Sequence, residues 1–295
     1  MMSRRRLHDG FVILLILGLG LAATPVRADD WQALADAIGR VGELRDGVYR
    51  VGFPRTDLRV SVGAITIRTG LALGGWAAFV RDGDRTVVDG DFVLLPGEIN
   101  RVISVLQQHG LEITALHNHL VGESPQVMYL HFFAIGDGVS LARALRAAVA
   151  ETATPPAASA PPAPSEPPAW ARAFEQSLGH TGAVRAGVLS IGVARPEEIR
   201  AHGAVLPPAM GMGHAINVQE SEGGRVAATG DFVLTEDEVS TVLRELRAGD
   251  VGVTAIHNHL LHGTPSLVFM HFWATGEPAR VGGALRQALA RAGTR

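Results

Sequence analysis

Residues 91–136 and 231–276 align without a gap at an offset of 140, and 18 of the 46 pairs are identical. A self-match of that length requires two copies of one domain, because an array of short repeats would recur at periods of about 20–50 residues. The same offset pairs Gly47-Val48 with Gly187-Val188, Arg55 with Arg195, Asp57 with Glu197 and Gly63-Ala64 with Gly203-Ala204. Between the copies, Ala153 to Pro168 is almost wholly Ala, Pro, Ser and Thr, too poor in large apolar side chains to join a core and stiffened by proline. The reading is therefore a signal peptide at 1–28, a first domain at 29–150, a linker at 151–169 and a second domain at 170–295.

Within one copy, Asp91 to Leu94 closes a strand. Pro96 takes the first position of a helix and Glu98 the third, and Ile99, Val102, Ile103 and Leu106 recur at helical spacing up to Gly110. In the second copy Thr235 is an N-cap, followed by Glu236, Asp237 and Glu238 in the first turn. Ile113 to Leu120 is a strand, a turn through Gly122 to Pro125 follows, and Val127 to Ala134 is a second strand rich in β-branched and aromatic residues. Leu141 to Val149 is a last helix, and Val60 to Ile67 and Trp76 to Val80 are strands upstream. The fold class is α+β: two tandem homologous domains, each a mixed or antiparallel sheet with two helices on one face.

Arg4, Arg5 and Arg6 precede an apolar run from Phe11 to about Ala23, and Val26-Arg27-Ala28 has the small residues of a signal-peptidase site. The run is shorter than the ~18–20 residues of a spanning helix, so the expectation is cleavage, export to the periplasm or beyond, and no stable membrane span afterwards. All 26 basic residues are arginine and cysteine is absent. That excludes disulfides, thiolate nucleophiles, iron–sulfur clusters and a lysine Schiff base. The chain after residue 28 carries a net charge of −6 and shows no basic face for nucleic acid.

The 12 histidines are organised by the duplication. His117, His119 and His131 in the first copy recur as His257, His259 and His271 in the second. In a strand, residues i and i+2 share a face about 7 Å apart, so each H-N-H triplet presents two imidazoles to one side. A hairpin in register brings the third opposite them, giving three nitrogens and an open position, the donor set of a catalytic zinc and of other divalent metals. The alternative is a set of hydrogen-bonded core histidines, copied with the domain. Glu98 is a fourth ligand, a general base or a first-turn acid suited to the helix dipole. Arg55 either anchors an anionic substrate or pairs with Asp57. Asn118 and Asn258 point away from the histidines as backbone or interdomain hydrogen-bonding groups. Asp91 and Asp231 read as turn acids, and His262, opposite Gly122, as inessential.

With FPRTDLRV at 53–60, LALGGWAAF at 71–79, GDFVL at 90–94, ALHNHL at 115–120 and P…LHFFA…GD at 125–137, the chain resembles the LppY/LpqO family of exported bacterial proteins. PPAMGMGHA at 207–215, AIHNHL and MHFWATG resemble that family's second repeat. The resemblance covers nearly the whole chain after residue 28 and brings no reaction with it. Two features depart from it: no cysteine follows the signal for lipid attachment, and Ala194-Arg195-Pro196-Glu197 replaces PRTD in the second copy. The spacing H-x-H, eleven residues, His is also similar to the zinc pattern of acetolactate decarboxylase and its related conserved domain, where the metal polarises a carbonyl. Three functions follow: a metal-dependent hydrolase or lyase, with Glu98 or Arg55 assisting; an exported protein that captures a metal or small ligand without catalysis; and an envelope interaction protein with structural histidines.

Overall fold

The computed structural model describes residues 28–157 and 163–294. The signal-peptide reading lies outside the described residues except for Ala28. Among the described residues no helix is long and apolar enough to cross a membrane.

In the first half the elements are α1 (Ala28–Ile38), β1 (Glu43–Arg45), β2 (Val48–Pro54), β3 (Ser61–Val62), β4 (Ile65–Thr66), α2 (Thr69–Ala72), β5 (Gly74–Asp82), β6 (Arg85–Leu94), α3 (Ile99–Gln108), β7 (Glu112–His117), β8 (Glu123–Ser124), β9 (Met128–Gly136) and α4 (Gly138–Val149). The second half repeats most of them. They are α5 (Ala169–Leu178), β10 (Ala183–Arg185), β11 (Val188–Ala194), β12 (Ile199–Ala201), β13 (Ala204–Leu206), β14 (Gly213–Glu220), β15 (Val226–Leu234), α6 (Glu236–Ala248), β16 (Gly252–Asn258), β17 (Gly263–Thr264), β18 (Val268–Gly276) and α7 (Pro278–Leu289). Each half is an antiparallel six-stranded sheet, ordered β1-β2-β5-β6-β9-β7 and β10-β11-β14-β15-β18-β16, so the chain is α+β twice over. Small three-stranded sheets, β4-β3-β8 and β13-β12-β17, extend from each.

One face of each large sheet packs on helices. Val88, Phe92, Leu130 and Phe132 meet Leu34 of α1, Val102 and Leu106 of α3 and Leu145 of α4. Thus α1 joins the two helices expected from sequence. The opposite sheet faces meet each other. Val87 and Phe133 pack in one cluster with Met210, Val233 and Phe269, while Val93 and Tyr129 pack in another with Val188 and Trp273. The result is four layers, helices, sheet, sheet, helices, related by a pseudo-twofold axis between the sheets. Strand β6 is consequently buried along nearly its whole length, which explains why apolar residues stand at consecutive positions, Val87-Val88 and Phe92-Val93-Leu94, in place of strict alternation.

Two sequence-level assignments shift. Helix α3 begins at Ile99, not at Pro96, because the Glu98 carboxylate folds back to accept from the Leu95 N–H at 2.8 Å and so holds residues 95–98 in a turn. In α6 the expected pattern is present: Glu238 accepts from the N–H of the N-cap Thr235 at 2.8 Å. The offset of 140 also lapses locally. Ser61 pairs with Thr66 and Arg200 with Val205, an offset of 139, and the same shift runs through β5 and β14 before 140 returns in β6 and β15. The counterpart of Gly63 is therefore His202, and that of Trp76 is Ala215. Insertions at turns cause both shifts, where the backbone tolerates an extra residue most readily.

Candidate metal centre between the two halves

Strands β7 and β16 are edge strands of their sheets, and the chain leaving each meets the other. Asn118 Nδ2 donates to Leu120 O and Thr254 O, both at 2.9 Å, Asn258 Nδ2 donates to Thr114 O at 2.8 Å, and Thr254 Oγ1 donates to His119 O at 2.7 Å. The asparagines of the two H-N-H triplets are thus the interdomain hydrogen-bonding groups expected of them. With each asparagine turned to the other half's backbone, the flanking histidines are directed between the sheets.

There the six histidines form one cluster rather than a trio in each half. The rings of His117 and His257 stack across the pseudo-twofold with centroids 3.6 Å apart. His119 stacks on His271 at 3.8 Å, and the symmetry-related His259 meets His131 at 3.9 Å with the rings tilted by 49°. Tyr129 lies 3.5 Å from the outer face of His119, and its counterpart Phe269 lies 4.3 Å from His259. A bulge between Ile113 and Ala115 sets His131 opposite Ala115, diagonal to His117, whose ring centroid is 4.8 Å away. Donor atoms converge within 4.8 Å in three sets: His117, His131 and His257; His117, His119 and His271; and Asp91, His119 and His131. The first two draw on both halves.

Three carboxylates close on the rings, and none is a turn acid. Asp89 and Asp91 lie in the middle of β6, and Asp231 in β15. Asp89 Oδ2 is 3.1 Å from His259 Nε2, Asp91 Oδ2 is 3.9 Å from His119 Nε2, and Asp231 Oδ1 is 2.5 Å from His271 Nδ1. Asp89 is the residue that sequence reasoning missed. Its signal was the D-G-D triplet, whose period of two puts both acids on one strand face. The intervening Gly90 is required by packing, since a Cβ there would lie 2.3 Å from the Phe132 ring and 2.6 Å from Trp76 O.

Nδ1 of His131 and of His271 lies 3.3 Å from the carbonyls of Gly90 and Gly230, a contact that leaves Nε2 as the free donor atom. Few of the remaining polar atoms are satisfied. Both nitrogens of His117, Nε2 of His119 and His131, Nδ1 of His259, and Oδ1 of Asp89 and of Asp91 are buried without a hydrogen-bond partner. His257 Nε2 and His271 Nε2 stand 2.8 Å apart. Burial and the neighbouring imidazoles hold His117, His119 and His131 well below the usual histidine range, and His257 at about 3. These rings are therefore neutral with lone pairs available, the form that binds metal. Burial pushes Asp91 well above the carboxylate range, reinforced by Asp231 and Asp89; burial acts on Asp231 too, but His271 outweighs it and holds that group below its ordinary value. A cavity of about 280 Å³ adjoins the cluster, lined by Asp91, His119, His131, Asp231, His259 and His271, with Arg50 over the Trp76 ring at its rim.

Glu98 and Arg55 are not in this cluster. Arg55 is fully buried and all of its N–H groups are engaged: Nη1 donates to Glu98 Oε2 at 2.6 Å and to Val93 O at 2.8 Å, and Nε and Nη2 donate to Asp57. Glu98 also accepts from the Ala153 N–H at 3.0 Å, which ties down the start of the linker. In the second half Arg195 repeats this with Glu197, Glu238 and Val233 O, so Ala194-Arg195-Pro196-Glu197 does the work of Pro54-Arg55-Thr56-Asp57. A guanidinium with no free donor is occupied in holding the strand end to the helix start, and neither Arg55 nor Glu98 lines the cavity beside the histidines.

Among solved structures, EtuB from Clostridium kluyveri is 12% identical over 84% of this chain and 88% of its own, with a TM-score of 0.20. Crystal form I of TP0453 is 11% identical over 85% and 96%, with a TM-score of 0.18. Overlap at that level assigns neither fold nor function. No curated protein matches. Residues 32–151 and 172–291 each match one family, and the chain belongs to it, as two tandem copies of the Domain of Unknown Function (DUF1259).

Proposed function

We propose that this protein binds a divalent metal ion in a centre built between its two repeats, at one of the donor sets that His117, His119, His131, His257 and His271 form with one another and with Asp91, while His259, tied to Asp89, flanks it. The observation that carries the reading is the group of buried imidazole nitrogens with no protein partner. An unsatisfied buried polar group costs about 1–3 kcal/mol, and several in one place call for a shared partner. A cation supplies it. Imidazole with carboxylate suits zinc, and iron, manganese, nickel and copper accept the same donors, so zinc is the first ion to test.

The adjoining cavity supports a catalytic use, a hydrolase or lyase acting on a small molecule. A bound divalent ion would supply Lewis acidity there. The protein's own contribution would be Arg50, which lines the cavity over the Trp76 ring, to orient an anionic group. We place the protein outside the cytoplasm, periplasmic or secreted, on the strength of residues 1–28, in keeping with the resemblance to LppY/LpqO proteins.

The test is elemental analysis of protein dialysed against a weak chelator. Wild type is expected to retain metal, and a His117→Ala, His257→Ala double variant to lose it. No retained ion in wild type, under any divalent loading, would remove the reading. Retained metal with no activity against any hydrolase or lyase substrate class would leave a metal-capture protein.

A further inference from the structure

Outside the central cluster, three ligand-type side chains meet on the surface. Glu112 opens β7 of the first half, His202 sits in the β12–β13 turn and His262 precedes β17, both in the second half. The pairing of Ala201 with Gly263 brings the two histidines side by side, their ring centroids 4.9 Å apart. His202 Nε2 is 3.2 Å from Glu112 Oε2, and His262 Nε2 is 3.8 Å from Glu112 Oε1. The three donor atoms lie within 4.8 Å of one another. Phe133, 5.3 Å from the His202 ring, backs that imidazole and limits its swing.

Pseudo-symmetry supplies an internal control. The counterparts of Glu112, His202 and His262 are Gly252, Gly63 and Gly122, three residues without side chains. One copy of this position therefore has every donor and the other has none. His202 moreover takes φ +48°, a left-handed turn conformation that its counterpart Gly63 adopts without steric cost. Side-chain packing does not account for the set, since His202 and His262 are 41% and 63% exposed and Glu112 is 32% exposed.

We propose that Glu112, His202 and His262 form a second metal site, distinct from the central one, for a borderline divalent ion such as zinc, nickel or copper(II). Two imidazole nitrogens and one carboxylate provide three ligands, and solvent provides the rest. Ions there exchange freely, because the site is open on its outer side. Because Glu112 belongs to one half and both histidines to the other, the bound ion also staples the halves together.

Untagged full-length protein, stripped with a strong chelator, is titrated with Zn²⁺ and with Cu²⁺ by calorimetry. Wild type is expected to show one more binding event than a His202→Ala, His262→Ala variant, and Glu112→Gln is expected to weaken that event at least tenfold. The His117→Ala, His257→Ala variant retains it, which separates this site from the central one. Should that variant fail to fold, the Cu²⁺ electron paramagnetic resonance spectrum of wild type serves: a two-nitrogen signal lost in His202→Ala, His262→Ala supports the site. Identical titrations and spectra for wild type and the surface variants would overturn the proposal, whatever the central cluster binds.

Discussion

His117 has two ring nitrogens buried between sheets and neither has a partner, whereas the guanidinium of Arg55, equally buried, has a partner for every N–H. That contrast separates a ligand-like residue from a structural one. Both were visible in the sequence as polar residues recurring in two copies, and recurrence alone did not distinguish them. A duplicated buried ion pair and a duplicated metal ligand leave the same trace in a self-alignment. Replacing Arg55 by Met leaves the Glu98 carboxylate buried without a counter-ion, and is expected to destabilise the fold by about 3–5 kcal/mol in urea denaturation while leaving metal content unchanged. Metal loss without loss of stability would return Arg55 to the site.

Elements explain why the site is shared. Helices α3, α4 and α6 were legible from spacing and caps, whereas α1 and α5 were not read, and β7, β9 and α4 fall within a few residues of their expected places, because local pattern and burial agree there. Burial of β6 and β15 on both faces is not a local property, since apolar residues at consecutive positions do not say what covers the second face. Contact between β7 and β16 rests on few bonds. Removing both amides with Asn118→Ala and Asn258→Ala leaves the carbonyls of Thr254 and Thr114 without these donors, an expected loss of about 1–3 kcal/mol for each. Metal affinity, measured by competition with a chromogenic chelator, is expected to fall with it. Unchanged affinity would mean that the edge strands are held by the apolar clusters alone.

At the scale of the whole molecule, the facing sheets make each half dependent on the other. Val87 and Phe133 of one half are buried in one cluster with Val233 and Phe269 of the other, and burying a side chain of that size is worth about 1.5–3 kcal/mol. Halves 28–157 and 163–295 produced as separate chains are therefore expected to co-purify when expressed together and to aggregate alone, with metal retained only by the pair; a soluble, metal-binding single half would contradict the shared centre.

Acid acts globally as well. Burial holds His214 at about 4, with its Nδ1 accepting from the Val233 N–H at 3.1 Å, and holds His257 at about 3. A histidine whose folded pKa lies below its unfolded value of about 6.5 gives stability that is complete above that value and is lost as pH falls toward the folded pKa. For His214 the loss amounts to about 3 kcal/mol. Raised Asp89 and Asp91 oppose it, gaining protons in the folded state as pH falls, but the neutral imidazoles outnumber them. The melting temperature of metal-free protein is expected to drop between pH 7 and 5, and less steeply in His214→Asn. A flat profile would show that the folded and unfolded states take up the same number of protons over this range.

The sequence by itself determined the duplication, the α+β class, the two matched sets of three histidines and the turning of the two asparagines away from them, because each of these follows from spacing along one chain. Only the tertiary structure decided that the histidines close into one centre, that Asp89, Asp91 and Asp231 join it, and that Glu98 and Arg55 do not. The physical reason is that a cluster of side chains drawn from two domains is specified by how their faces pack. That packing depends on the summed burial of both sheets and leaves no periodicity in either copy.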